Sequence, residues 1–320
     1  MSYSGFAVRS STYHFDYLRR LPQLANTVYP NSRGFRKIKK NARFCLWGVL
    51  NADAVKAMAD VFAHPELAPV LQTNPKIFEK PLKPYLCVNW TRKEKIARIR
   101  EHYLFIKDTF GSHAQSVLSP KGVTILEFTD NQEVRYKVQL CQGMSREGSL
   151  GLYLVDENNR NIYSLTCHIA TGNKKTLYIG ALQGPKEDIA ERNQVIKTLT
   201  RSLHGLRTKA LMAELVLILA NVLGVDEVRG VSNKGHVYQA LRYIGSKRKA
   251  VTFDYDDLWQ EYGATKESAY FYRLPLQPPR KDPSSLKKTK RRLYTKRYQW
   301  LDEVATEIEV NIQSMTKTSL

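Results

Sequence analysis

The spacing of apolar residues changes at about residue 122, and this change restricts the folds open to the chain more than any other feature. Before it, apolar residues recur every three or four positions, as on one face of a helix. After it come five β-rich runs, which are separated by turn residues such as Asp130-Asn131 and Gly148. The pattern predicts a helical region followed by an antiparallel meander that ends near residue 184.

The first third of the chain has two amphipathic helical patterns. Residues 91–110 place apolar side chains on one stripe and basic side chains off it. Residues 51–62 repeat the pattern, with Asp53 at a position suited to cap the helix and Pro65 beyond its end. Residues 33–43 carry six basic side chains and no acid. We therefore expect helices with a basic outer face.

Beyond the meander the sequence predicts alternating helices and strands. Residues 205–224 are apolar almost all round, as in a helix that packs under a sheet. Short strands are predicted near residues 226–232, 250–255 and 268–276, and a terminal helix from about Tyr298 to Ile312. The fold class is α+β. We divide it into a helical, basic N-terminal region (1–120), a core domain with the meander and a βαβ unit (121–279), and a basic linker with a C-terminal helix (280–320).

Net charge and composition further restrict the class of protein to which the chain can belong. The formal net charge is +20, with +11 in residues 1–120, +4 in residues 121–279 and +5 in residues 280–320. The four cysteines lie at least 26 positions apart, so they lack the close spacing of a zinc or redox site and are predicted to be reduced. The most apolar window spans 16 residues and contains Glu214, which is too short for a bilayer span. We expect a cytoplasmic protein.

Five blocks carry a resemblance to a known family. They are residues 101–110, 179–185, 228–243, 253–264 and 270–276, and a basic C-terminal helix follows them. In this order they resemble the bacterial VirK/YbjX family of uncharacterised proteins, from about residue 35 to the C-terminus. The resemblance implies a bacterial protein associated with virulence, resistance to host peptides and stress responses. It supplies no catalytic residues.

A second resemblance is to the topology of the Gcn5-related acyltransferases. There, a meander precedes a helix whose N-terminus binds the pyrophosphate of coenzyme A. The resemblance implies that Gly205, Arg207 and Lys209 contact the phosphates of acyl-CoA, and that Tyr243 or Tyr238 donates the proton. The chain departs from that family because Thr208-Lys209 replaces a second small residue and an additional helix intervenes.

The acceptor of such a reaction, an amine or a hydroxyl, would lie near Asp254, Asp256 and His236. His236 follows a strand end, where functional groups concentrate. Each candidate also has a purely structural interpretation: the tyrosines can anchor a core, the basic residues can be a solvated helix start, and Asp256 or Asp257 can cap a helical turn. No metal site is predicted, because the sequence has no metal-ligand motif.

The basic segments 33–43 and 287–297 leave three interpretations open. They are a solvated charged surface, phosphate contacts for nucleic acid with Tyr294 and Tyr298 stacking on bases, or contacts with the anionic face of the inner membrane. The sequence therefore supports two functions. One is an N- or O-acyltransferase that uses acyl-CoA or an acyl carrier in envelope or virulence stress. The other is a non-catalytic protein that binds anionic membrane or nucleic acid in stress, including DNA damage.

Overall fold

The computed structural model describes residues 13–185, 189–241 and 253–316. Helices dominate both ends of this part of the chain, and short 3-10 turns join several of them. The helices are α1 (Tyr13–Val28), α2 (Gly34–Leu50), α3 (Ala52–Val61), α4 (Ala68–Thr73), α5 (Arg92–Phe110), α6 (Ala114–Val117), α7 (Arg192–Ser202), α8 (Thr208–Val222), α9 (Tyr255–Glu261) and α10 (Lys288–Gln313).

The strands form one mixed sheet in the order β1-β2-β3-β4-β5-β6-β8-β7. Strands β5 and β6 run parallel, and the other neighbouring pairs of the described sheet are antiparallel. The predicted α+β class and the five-stranded meander are thus confirmed. The strands are β1 (Val123–Thr129), β2 (Arg135–Gln142), β3 (Leu150–Asp156), β4 (Asn161–Ala170), β5 (Thr176–Gln183), β6 (Glu227–Val231), β7 (Thr265–Lys266) and β8 (Phe271–Leu274).

Helices cover both faces of the centre of the sheet. All but the first residue of β4 are buried, and β4 contacts both α5 and α8. Because alternate residues of a strand point to opposite faces, a strand buried at successive positions needs cover on both sides. Helix α8 has ten buried residues out of fifteen, as its apolar sequence predicts. One hydrophobic core joins residues of the N-terminal helices, the sheet and α10.

The C-terminal helix is longer than predicted and protects an edge of the sheet. It begins at Lys288, ten residues before the expected start, because a run of lysine and arginine side chains is compatible with a helix. Strand β1 is an edge strand whose outer backbone groups need partners. Glu307 accepts a hydrogen bond from the Glu127 amide (3.2 Å), and Asn311 donates one to the Ile125 carbonyl (3.1 Å).

The cap of α3 differs from the predicted one, and α5 has a cap that was not predicted. Asp53 is the second residue of α3, two positions after the N-cap residue Asn51, and pairs with Arg92. Helix α5 has a capping box in which Thr91 accepts from the Glu94 amide and Glu94 accepts from the Thr91 amide. This box sets the start of the helix that packs on β4.

The parallel pair separates at its carboxyl end. The β5–β6 ladder stops at Ile179 and Gly230, while β5 continues to Gln183. Side chains of α9 fill the opening: the Leu182 amide donates to the Tyr255 hydroxyl (3.2 Å), and the Trp259 indole donates to the Val231 carbonyl (2.8 Å). Both rings are buried.

The close packing beside β5 gives a stability prediction. A Cβ at Gly180 would lie 1.8 Å from the Glu147 carbonyl oxygen, whereas a Cβ at Gly172 would meet nothing within 4 Å. Because a backbone atom cannot move aside cheaply, Gly180→Ala is expected to lower the free energy of unfolding by about 3 kcal/mol. Gly172→Ala is the matched control and should change it by less than about 0.5 kcal/mol. Urea denaturation measures both, and equal stabilities would contradict the described packing.

Candidate functional site

The loop predicted to contact phosphate is covered by the C-terminal helix. Gly205 has a φ of +74°, a conformation that favours glycine. A Cβ there would lie 3.2 Å from both Leu293 and Arg297 of α10. The Arg297 guanidinium also donates to the His204 carbonyl, at 3.2 Å from Nε and 2.8 Å from Nη2. The backbone at Gly205 thus already has neighbours from the chain itself.

The start of α8 is engaged by α9. Arg207 pairs with Glu261, and the Lys209 Nζ lies 3.9 Å from the Glu261 Oε1. The hydroxyl of Thr208 is buried and makes no hydrogen bond. The three predicted phosphate ligands therefore lie together at one helix start, and the two cations among them face a carboxylate of this chain.

The two candidate aspartates fasten α9 to the loop after β6. Asp254 accepts from the Asn233 side chain (2.8 Å) and from the Asp257 amide (3.1 Å), so Asp254 caps α9 in place of the expected Asp256 or Asp257. Asp256 accepts from the Asn233 amide (2.7 Å). Hydrogen bonds from Asn233 and from backbone amides lower the pKa of Asp254. Within the described ranges, no group of three histidine, cysteine or acidic side chains is placed to hold a metal ion.

His236 lies in a buried polar group at the carboxyl end of β5. Its Nε2 is 3.7 Å from Oε1 of Glu147, and Nδ1 accepts from the Tyr238 amide at 3.3 Å. Its ring stacks on Tyr255 with centroids 5.3 Å apart, and burial lowers the pKa of His236 to about 4. Gln183 donates to Glu147 at 3.1 Å. The imidazole is therefore neutral at pH 7.

Of the sequence candidates, His236 and Tyr238 thus come together, and Tyr243 lies outside the described residues. Glu147 was not predicted. It lies in the turn between β2 and β3, and only the folded register of the meander brings it to the end of β5.

A second buried polar group joins the N-terminal helices to the sheet. Lys80 donates to the Gly148 carbonyl (3.0 Å) and to the Ser149 hydroxyl (2.9 Å). The Tyr85 hydroxyl lies 2.6 Å from the Ser149 Oγ and 2.9 Å from Nδ1 of His168. The other ring nitrogen of His168 is 2.9 Å from a backbone carbonyl of α5. All four side chains are buried.

Burial sets the ionisation of this group, which we call the Lys80 network. It lowers the pKa of Lys80 to about 7, with a further decrease from the charge of Arg146. Burial also lowers the pKa of His102, which stacks on His168, to about 3. A serine hydroxyl beside an amine resembles an activated nucleophile, but these side chains present no surface to a substrate. We interpret the network as structural.

Helix α2 exposes a row of large apolar side chains. They are 51% to 78% exposed, whereas Phe44 and Gly48 face the core. Ile38 follows Phe35 by three positions, Leu46 follows Ile38 by eight, and Val49 and Leu50 lie three and four positions beyond Leu46, which places all five on one side of the helix. We call this row the α2 stripe; its members are Phe35, Ile38, Leu46, Val49 and Leu50.

Basic side chains flank the α2 stripe. Residues 33–50 contain six lysines and arginines and no acid. The sequence predicted the basic charge of this segment. It also contains the apolar spacing, but it did not predict that these side chains are exposed. Burial was the missing information, because an apolar row on a helix more often faces the core. Trp47, at the edge of the stripe, is 44% exposed.

The second basic segment, 287–297, lies in the first half of α10. The Arg297 guanidinium lies 4.3 Å from the Tyr294 ring centroid, and Arg280 lies 5.0 Å from that of Tyr298. The two tyrosines expected to stack on bases are thus already in contact with arginines of this chain. Among the described helices, none is long and apolar enough to cross a bilayer.

The Lys80 network gives a prediction about pH. Folding lowers the pKa of Lys80 from 10.5 to about 7, so the unfolded chain binds more protons between those two values. The free energy of unfolding should therefore rise with pH across this window, by at most about 1.4 kcal/mol per pH unit from this group. Lys80→Met is expected to flatten that slope in urea titrations from pH 7 to 9.

The matched control is Lys39→Met, which removes an exposed lysine. A constant loss of stability in the Lys80 variant, with the slope unchanged, would show that the amine does not titrate in the core. Because the readout is the slope, the hydrogen bonds lost in the variant do not affect the test.

Comparisons with known proteins identify relatives along most of the chain. The model of the family described as "Protein of unknown function (DUF535)" matches residues 33–310. The chain is 28% identical over 259 residues to "Uncharacterized protein YbjX" of Escherichia coli K12, which covers 80% of this chain and 78% of that protein.

It is also 27% identical over 284 residues to an uncharacterised protein of Haemophilus influenzae, covering 88% of this chain and 92% of the relative. A third relative, named "Membrane protein LapB", from Mannheimia haemolytica, is 25% identical over 212 residues, covering 66% of this chain and 90% of that protein. The VirK/YbjX resemblance is thereby confirmed, and the chain belongs to the DUF535 family of proteins of unknown function.

Proposed function

We propose that this protein binds the surface of an anionic membrane, with α2 lying in the plane of the interface. The observation that carries the proposal is the α2 stripe: five large apolar side chains, more than half exposed, on a helix without an acidic residue. Isolated exposed apolar residues are ordinary on protein surfaces, but several large ones on one face of a helix mark an interaction site. The seventeen residues of α2 give a helix about 25 Å long.

The stripe and the basic flank match the two layers of a membrane interface. Transfer of a leucine or phenylalanine side chain from water to an apolar phase is favourable by about 1.5–3 kcal/mol. Each lysine or arginine near an anionic leaflet adds about 1 kcal/mol. An amphipathic helix with both features lies at the boundary between headgroups and acyl chains.

The membrane explains the observations better than nucleic acid does. Phosphates of nucleic acid would account for the basic residues but leave the α2 stripe in water. In addition, Tyr294 and Tyr298 already contact arginines of this chain. One relative is named a membrane protein, which agrees with the proposal. The surface we propose is the anionic leaflet that faces the cytoplasm, in a response to envelope or virulence stress.

Acyl transfer, which the Gcn5-related resemblance implies, stays a prediction. The start of α8 and the opening between β5 and β6 are both occupied by side chains of this chain. A thermal-shift titration with acyl-CoA tests that function separately, because a ligand that binds only the folded state raises the melting temperature. A rise that Arg207→Ala abolishes would support it.

Vesicle binding tests the membrane function. The double variant Leu46→Ser/Leu50→Ser is expected to lose affinity for phosphatidylcholine vesicles containing phosphatidylglycerol by about tenfold or more, because two apolar side chains no longer insert. Co-sedimentation measures the affinity. Val310→Ser, which removes a 59% exposed apolar side chain of α10, is the matched control and should bind as the parent does.

Other outcomes would identify another occupant of the stripe. If the chain binds vesicles no better with phosphatidylglycerol than without it, the membrane function is wrong. If the double variant instead lowers the mass measured by sedimentation equilibrium, the stripe joins two copies of the chain.

Tryptophan fluorescence gives a second measurement of insertion. On vesicles, the emission of Trp47 should move to shorter wavelength, and Trp47→Phe should remove that change.

A further inference from the structure

A crevice opens at one edge of α2, beside the stripe. Its volume is about 20 Å³, and it lies between α2 and the segment that follows α4. Arg43 and Trp47, each 44% exposed, border it on the outside. Tyr29, Glu79 and Lys83 line its interior. A space of this size holds about one water molecule, so it could receive one oxygen of a larger group at its mouth.

The charges around the crevice are mostly positive. Glu79 is a buried carboxylate that accepts from the Tyr29 hydroxyl and pairs with Lys83. Arg43 lies 4.0 Å away from it, and the charge of Arg146 also acts on Glu79. Three cations thus surround one carboxylate.

The pKa shifts of Glu79 and Lys83 agree with an excess of positive charge around the crevice. Burial would raise the pKa of Glu79, but hydrogen bonds from Lys83 and Tyr29 and the charges of Lys83 and Arg146 lower it overall. Burial lowers the pKa of Lys83 to about 8, the Glu79 pair opposes the decrease, and the charges of Arg146 and Arg43 add to it. The carboxylate is therefore ionised, and the cations repel one another across a partly dry space.

We propose, resting on the membrane function above, that this crevice binds the phosphate group of an anionic glycerophospholipid whose acyl chains lie along the α2 stripe. Arg43 supplies a planar fork of donors suited to a phosphate. It is not within hydrogen-bond distance of Glu79, so turning to a ligand exchanges its hydrogen bond with the Tyr29 side chain for one with the phosphate. Lys83 donates from the inner side, and the Trp47 ring lies at the level of the headgroups.

The geometry of α2 places the phosphate and the acyl chains of such a lipid on adjoining faces of the helix. Arg43 precedes Leu46 by three residues and Leu50 by seven, so the guanidinium and the apolar stripe are neighbours along the helix. A ligand that uses both must carry an anionic head and an apolar tail. This combination favours a lipid over a free phosphate ion.

The test separates recognition in the crevice from general attraction to charge. Arg43→Gln/Lys83→Gln removes two charges at the crevice, and the matched control Lys197→Gln/Arg201→Gln removes two exposed charges of α7, outside the proposed lipid site. Titration calorimetry with dihexanoyl-phosphatidylglycerol, a short-chain lipid used as monomers, should show saturable binding that the crevice variant loses by about tenfold or more. The control should change by less than about threefold.

Equal losses in the two double variants would overturn the proposal. Inorganic phosphate that binds as tightly as the lipid would also overturn it, since the apolar tail would then contribute nothing. Because Lys83→Gln removes the ion pair of a buried carboxylate, Arg43→Gln alone repeats the test with a partly exposed residue if the double variant does not fold. Failure of the membrane function is distinguishable, since vesicle binding would then be insensitive to Leu46→Ser/Leu50→Ser.

Discussion

The removal of a lysine amine from water is the constraint on which much of the structure depends. Lys80 is buried without a carboxylate partner among its hydrogen bonds, so the Gly148 carbonyl and the Ser149 hydroxyl must hold it. These partners belong to the turn before β3, whereas Lys80 belongs to the helical region. Tyr85 and His168 extend the contact to β4. The helical region and the sheet are thereby fixed in one arrangement, because any shift would leave a buried donor unpaired.

That arrangement also determines where α2 rests. Glu79 immediately precedes Lys80, and it holds both Lys83 and Tyr29, the residue that follows α1, on the opposite side of the same segment. Tyr29 in turn packs edge-on against Phe44, the buried aromatic residue of α2, with ring centroids 6.3 Å apart. The polar contacts of Glu79 and the aromatic contact of Phe44 thus hold the inner face of α2 against the protein. The α2 stripe therefore faces outward.

Local patterns allowed the elements to be predicted, but not the long-range contacts. The meander, α5 and α8 were predictable because burial imposes a period on neighbouring residues. The start of α10 was missed because its first turns are basic and exposed, so no apolar period marks them. Lys80 was missed because its partners are 68 and 69 residues away. For the same reason the sequence could propose His236 and Tyr238 but not Glu147.

The position of the α2 stripe is best understood from what the core can accept. Only Phe44 and Gly48 of this helix are buried, and the interior beneath them is already closed by aromatic and aliphatic side chains. Turning α2 to bury the stripe would bring Lys39 and Arg43 toward that interior, where unpaired cations are far less stable than exposed leucines. The core therefore cannot absorb the stripe. A medium that is apolar on one side and anionic on the other can accommodate the stripe and its basic flank together, and for this reason we propose a membrane surface as the partner of α2.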